Sequence, residues 1–337
     1  MSEPNASRAT IDDVAREAGV STATVSRALR NHPYVAESTK RKVLSAVERL
    51  QYVANSNASR LASGQSRTVG LIAPLLTSWY TSEVVVGVEE VLANARYDLL
   101  IGTANPTARE RIFKGDARFH QRIDGVILVD VFCSETGAQQ LAALDTPVIV
   151  LGEQLKSVTS ISVDNNRGAR LAARHLIGLG HRRIAIVGGH AHIDVAQNVP
   201  QEREAGFRAT LESAGLKLPD NYVYDSDFTI AGGRRSMETM LALPKPPTAV
   251  FFMSDEMAFG ALWALRSAGL QPGREVSVVG FDDHPVSESL GLTTVRQSVR
   301  DIGRLGARLM LEALEGFGTI QHHPVDLVLV EQIGRAH

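Results

Sequence analysis

From Thr10 to Leu29 the apolar positions recur at helical spacing, pause, and begin again. Ile11, Val14, Ala15 and Ala18 fall on one face of a first helix. Thr10 stands where it can cap that helix, and Asp12 and Asp13 in its first turn suit the positive helix end. Gly19 supplies the left-handed residue that stops it. Val20 fills the corner, and Ser21 caps a second helix with Val25, Ala28 and Leu29 facing inward, ended by Asn31, His32 and Pro33. Two short helices joined by a glycine turn predict a helix-turn-helix. A third helix, capped by Ser38, buries Val43, Val47 and Leu50 and opens with Lys40, Arg41 and Lys42. Positive charge at that end opposes the helix macrodipole, so phosphate contact is the reason to place it there. A further two-turn helix starts at Asn55 or Ser56, runs through Leu61 and Ala62, and leads into the strap SGQS. Alone in water so short a helix is marginal. It reads either as a plain linker or as a segment that folds on a duplex, with Leu61 as a wedge in the minor groove.

At Thr68 the pattern changes. Short apolar runs (TVGLIAPL, DLLIGTA, DGVILVD, PVIVLGE, SISVD, RRIAIVGG, NYVYDSD, AVFFMSD, VSVVGFDD) alternate with amphipathic helical stretches. Continuous apolar strands between helices predict parallel sheets covered on both faces. There are too many strands for one sheet. The predicted fold is therefore a small all-α helix-turn-helix headpiece followed by an α/β body of two doubly wound parallel-sheet lobes. The expected divisions are a disordered tail over 1–9, the headpiece over 10–54, a hinge helix and linker over 55–67, and the body over 68–337. The lobe boundary is expected near 160–163, with a second crossover near 285–298. Ligands of open α/β sheets bind beyond the carboxyl ends of strands. Those ends carry Asp130, Glu153, Asp164, Asp227, Ser254 with Asp255, and Asp282 with Asp283. Asp255 reads as a helix cap, whereas the loop GFDDHP leads into no obvious helix, which leaves Asp282 as a ligand group.

Charge sharpens the division. The first 68 residues hold 10 Lys/Arg against 6 Asp/Glu, a balance of +4, while the remaining 25 and 31 give −6. A basic head on an acidic body suits a polyanionic partner. The second helix turns Thr22, Ala23, Ser26 and Arg27 outward. Small side chains let a helix sit deep in a major groove, and an arginine reaches guanine or phosphate. No apolar run reaches the roughly 20 residues a membrane helix needs, and the first residues lack an apolar signal core. With a single cysteine, Cys133, these features lead us to expect a cytoplasmic protein without membrane partners.

The segment TIDDVAREAGVSTATVSRALRNHPYVAESTKRKVLSAVERLQYVANSNASRLASG resembles the headpiece of LacI/GalR family bacterial transcription regulators. The resemblance implies base reading by Thr22, Ala23 and Arg27 and phosphate contacts from Ser21 and Thr24. It places Asn55, Ala58, Arg60 and Leu61 on a hinge helix, with Leu61 intercalating. The family usually has proline before the hinge asparagine; Ala54 stands there. The body resembles the effector domain of the same family, with the fold of periplasmic sugar-binding proteins. QEREAGF places Arg203 as the effector-binding arginine, GFDD places Asp282 on effector hydroxyls, and SDEMAFGAL places Ser254 at a contact. Phe228 aligns with a ring that stacks on the ligand, and Trp79 and Tyr80 are candidates from the other lobe. Asp130, at a strand end, completes the expected set.

The resemblance implies a homodimeric repressor on near-palindromic operator DNA, governed by a small molecule such as a sugar. Two other readings stay open: a sugar-binding receptor without a DNA role, and a sugar-modifying enzyme. For the enzyme there is no P-loop, no nucleophile elbow and no HExxH motif. His190 with His192, and His322 with His323, lack further ligands at metal spacing. No cofactor or metal is expected.

Overall fold

The computed structural model describes residues 9–29, 33–52, 65–105, 122–189 and 198–332. The chain divides into two compact units, Met1–Ser66 and Arg67–His337.

The first unit holds α1 (Ile11–Ala18), α2 (Thr22–Leu29) and α3 (Glu37–Arg49). Thr10 and Asp13 form a reciprocal capping box: the Thr10 hydroxyl accepts from Asp13 N–H at 3.3 Å, and Asp13 Oδ2 accepts from Thr10 N–H at 2.9 Å. Donation from the Thr10 hydroxyl to Asp13 Oδ2 at 2.7 Å, then from the Thr10 N–H, holds the Asp13 carboxyl below its usual value. Gly19 ends α1 in the left-handed conformation, with φ 66°. Space around it is open, so the backbone angle is what calls for glycine. Ser21 Oγ accepts from Thr24 N–H at 3.2 Å and starts α2. Val14, Val25, Val43 and Ala46 are fully enclosed at the centre. The start of α3 departs from the expected Ser38 cap. The helix begins at Glu37, behind Ala36, and no side chain caps it. Lys40, Arg41 and Lys42 therefore stand beyond the first turn, where Glu37 meets the dipole favourably. Their charge no longer argues for phosphate contact on stability grounds.

The second unit has two lobes, each on a six-stranded sheet. The first lobe contains β1 (Thr68–Ala73), α4 (Trp79–Asn94), β2 (Asp98–Thr103), β3 (Gly125–Val129), α5 (Glu135–Ala142), β4 (Val148–Leu151) and β5 (Thr159–Val163). The chain then enters the second lobe through α6 (Asn165–Gly178), β6 (Ile184–Gly189), α7 (Asn198–Ser213), β7 (Val223–Ser226) and α8 (Ile230–Leu241). It continues with β8 (Ala249–Phe252), α9 (Asp255–Ser267), β9 (Ser277–Asp282), α10 (Val286–Leu290) and β10 (Thr293–Gln297). It returns to the first lobe as α11 (Val299–Leu314) and β11 (His322–Val325), and ends in the second with β12 (Leu327–Val330). The strand orders are β11-β5-β4-β3-β1-β2 and β12-β10-β9-β8-β6-β7.

Strands β1, β3, β4 and β8 are buried along their whole length, which is why they read as continuous apolar runs. Three features depart from the pattern reading. The chain crosses between lobes a third time, at Asp326, and β12 runs antiparallel to β10. Strand β11 carries His322, His323 and Pro324, so no apolar run announces it; at a sheet edge, proline and polar residues are tolerated. His322 Nδ1 lies 3.2 Å from Ser160 Oγ on the neighbouring strand. Finally, the GFDDHP loop does lead into a helix, the single-turn α10.

Helix α11 is held to the first lobe by close packing on α4. A Cβ at Gly87 would lie 2.1 Å from the Arg300 carbonyl, and one at Gly303 would lie 2.3 Å from that of Val84. Glu90 accepts from both Arg300 and Arg304 across this seam.

Candidate functional site

The carboxyl ends of β3, β7, β8 and β9 point to a cleft between the two lobes that encloses roughly 870 Å3 of non-atom space, its open mouth included. Tyr80, Asp130, Arg203, Phe228, Ser254 and Asp282 all line it, with Tyr80 and Asp130 from the first lobe and the rest from the second.

Arg203, on α7, is buried and fixed on three sides. Its Nε donates to Asn165 Oδ1 at 2.9 Å and its Nη1 to the Met253 carbonyl at 2.5 Å. The guanidinium carbon sits 3.6 Å from the Phe281 ring centroid. Burial lowers its pKa, while the nearby carboxylates of Asp282 and Asp130 act the other way. Asp282 follows directly on the inner stretch of β9 with φ 122°, an uncommon angle for a residue with a side chain. Its Oδ1 accepts from Gln297 Nε2 at 2.6 Å. Burial drives its pKa well up, with Asp255 adding to the rise and Arg203 and Gln297 opposing it. Phe228 has φ 57°, and its ring lies where a Cβ on Gly189 would reach to 2.0 Å. Glycine at 189 is therefore a condition for that ring position.

The cap of α9 falls to Ser254 and not to Asp255. Ser254 caps α9, its Oγ accepting from Met257 N–H at 3.3 Å, and it also lines the cleft. Asp255, the expected cap, is 1% exposed and braces the loop after β9. It accepts from His284 N–H at 2.8 Å, Ser287 Oγ at 2.7 Å and Thr294 Oγ1 at 2.6 Å. Burial pushes its carboxyl up to about 7, although all three bonds pull the other way. Replacing it with alanine strands two buried hydroxyl donors and one part-buried N–H. Asp255→Ala is expected to cost about 3 kcal/mol of unfolding free energy, read by chemical denaturation.

Trp79 stands outside the cleft lining. Its backbone N–H donates to Glu256 Oε2 at 3.2 Å, joining α4 of one lobe to α9 of the other. Its ring centroid lies 4.7 Å from that of His284, which packs edge-on against Phe259 at 5.1 Å. The tryptophan thus works at the seam between the lobes. The polar lining residues that the sequence reading does not single out include Asn165, Glu256 and Gln297. Asn165 and Glu256 sit in first helical turns after strands, the position where Asp255 drew attention instead. Gln297 ends a strand with no apolar run.

In the headpiece unit α2 leaves Ser21, Thr22, Ala23 and Arg27 exposed, while Val25 and Ala28 are buried. The Thr24 and Ser21 hydroxyls lie 2.9 Å apart. Small side chains and one arginine form a face that fits a major groove. Asn55, Ala58, Arg60 and Leu61 lie outside the described residues.

The family model for bacterial regulatory proteins of the lacI family matches residues 10–55, and that for the periplasmic binding protein-like domain matches 155–332. The HTH-type transcriptional repressor PurR of Escherichia coli (strain SMS-3-5 / SECEC) is 32% identical over 330 residues, covering 94% of each chain. The chain belongs to the LacI family. Catabolite control protein A of Priestia megaterium is 31% identical over 305 residues, 89% of this chain and 91% of that protein. Among solved structures, the lac repressor dimer bound to operator and the anti-inducer ONPF superposes with a TM-score of 0.82 at 28% identity. That match covers 95% of this chain and 97% of that one. The transcriptional regulator CelR in complex with cellobiose is 30% identical with a TM-score of 0.69, covering 97% and 100%. This LacI-family chain is accordingly a sequence-specific DNA-binding transcription regulator. Among its described residues no helix is long and apolar enough to cross a membrane, and no group of His, Cys, Asp and Glu could hold a metal ion.

Proposed function

We propose that this regulator represses transcription as a homodimer on a near-palindromic operator, and that a sugar or related polyol bound between the lobes controls it. In this reading Thr22, Ala23 and Arg27 read bases, and Ser21 and Thr24 hold phosphates. Arg203 and Asp282 clamp hydroxyls while Phe228 covers an apolar ring face; Tyr80, Asp130 and Ser254 complete the polar wall. The observation that carries the reading is the convergence of these cleft residues in a chain that also presents an exposed recognition helix. Charged groups in a dry cleft grip hydroxyls firmly, and a ring face needs only apolar cover. The lac repressor structure is that of a dimer on its operator, and the CelR structure holds cellobiose; both support the proposal by likeness.

Two measurements test it together. Selection of duplexes from a random pool is expected to return an inverted repeat, as twofold symmetry of the protein requires. A thermal-shift screen of sugars against the full chain is expected to return a ligand that releases the selected duplex. Effector and operator then weaken each other by the same factor, about 1–3 kcal/mol. Asymmetric selected sites, or a ligand that leaves operator affinity unchanged, would refute the reading. The hinge assignment of Asn55, Ala58, Arg60 and Leu61 stands as part of the same proposal. Leu61→Ala is expected to weaken operator binding about tenfold or more without changing sugar affinity, because a wedge acts only on the opened base step. Unaltered operator affinity in that variant would remove the wedge.

A further inference from the structure

Among the described residues that line it, the cleft carries more acidic than basic side chains. Among its described lining residues Asp130, Glu256 and Asp282 face the single guanidinium of Arg203. That guanidinium is already engaged by Asn165, the Met253 carbonyl and the Phe281 ring. Asp282 accepts from Gln297, and Glu256 accepts from the Trp79 backbone. Asp130 differs from both: no described group donates a hydrogen bond to its carboxylate, and Arg203 acts on it only through its field. Its position is nonetheless a shaped one. The residue takes a left-handed backbone, φ 48°, at the end of β3. Opposite it, a Cβ on Gly152 would lie 2.2 Å from Asp130 Oδ1. Glycine leaves the wall open where this carboxylate sits, and the Gly152 φ of 107° calls for glycine as well. Tyr80 shares the cavity, and burial, then the carboxylates of Asp130 and Asp282, push its hydroxyl well above the usual range. It therefore stays neutral and adds no further negative charge.

A phosphate or carboxylate on the effector would enter against the carboxylates of Asp130 and Glu256, with one already engaged guanidinium to answer it. A neutral hydroxyl would give Asp130 a donor but leave its charge unanswered. An ammonium gives a donor and the opposite charge at once. Resting on the sugar reading above, we propose that the effector is an amino sugar whose protonated amine sits on Asp130. Burial pushes the Asp130 carboxyl up to about 6, and an ammonium beside it would favour the ionised form.

The test uses the full chain at neutral pH with glucosamine, galactosamine and mannosamine. Each is set against its parent hexose and the hexose 6-phosphate, by thermal shift and then titration calorimetry. One amino sugar is expected to bind about tenfold tighter than its parent, the step between a charged and a neutral hydrogen bond. No 6-phosphate is expected to bind. In Asp130→Asn, checked for an intact melting transition, the amino sugar is expected to lose that preference. Should Asp130→Asn not fold, Asp130→Ser provides the same comparison. A hexose that binds as well as its amino counterpart overturns this inference and leaves the sugar reading standing. Binding of a 6-phosphate, or an amine preference that survives at position 130, overturns it as well. Failure of all nine sugars to bind overturns it and counts against the sugar reading too.

Discussion

Arg203→Ala is expected to abolish the response to effector while leaving operator affinity within about twofold. The guanidinium is buried, and its three engagements hold it over Phe281 beside Asp282 and Asp130. Alanine removes the cation that favours both carboxylates in their charged form, so both carboxyls shift further toward their protonated form and the pocket loses its donor to effector hydroxyls. Losing a charge-assisted contact in a buried site costs about 3 kcal/mol, a fall in effector affinity of about a hundredfold. Operator binding does not draw on this residue, and the two compact units keep separate cores. Calorimetry with the hit from the sugar screen measures the first effect and fluorescence anisotropy with the selected duplex the second. Arg203→Lys separates charge from shape: lysine keeps the positive charge but lacks the planar fork that reaches Asn165 and Met253 together. If lysine restores binding, charge is the dominant contribution. A response that survives in Arg203→Ala would move the effector site elsewhere.

The second large effect belongs to Arg27. It is the only charged side chain on the outward face of α2, and its neighbours Thr22 and Ala23 are small enough to admit the groove. Arg27→Ala is expected to cost about 1–3 kcal/mol for each half-site and to relax the preference at one base pair. A dimer carries the loss twice, so operator binding falls far below that of the parent. Competition with single-base variants of the selected duplex distinguishes the two roles open to an arginine. If it reads a base, the affinity spread among variants narrows at one position. If it only holds phosphate, all sequences weaken alike and the salt slope drops by about 1 per contact. Unchanged affinity would remove Arg27 from the interface.

Local features were legible where the causes are local. The capping box of Thr10 and Asp13, the left-handed Gly19 and the Ser21 start of α2 each involve residues three or fewer positions apart or one backbone angle. The start of α3 was misread because serine caps are common and Glu37 at a first helical position leaves no mark of its own. The nine apolar runs each correspond to a strand, and in β1, β3, β4, β6 and β8 burial along the whole length is the reason, since strands buried on both faces need nothing but apolar side chains. Strand β11 escaped because an edge strand is under no such demand.

Chain order by itself determined the helix-turn-helix, the alternating strands and helices of the body, and the polar residues at the strand ends, because each follows from spacing along a few turns or one strand. Only the tertiary structure decided what those polar residues do. Asp255 braces a loop because Ser287 and Thr294, 32 and 39 positions on, fold back to it. Arg203 finds Asn165 across 38 positions, and Trp79 meets Glu256 across 177, from the opposite lobe. Hydrogen bonds and ion fields act over a few ångströms, and sequence spacing carries no record of distances that close only when two sheets stand face to face.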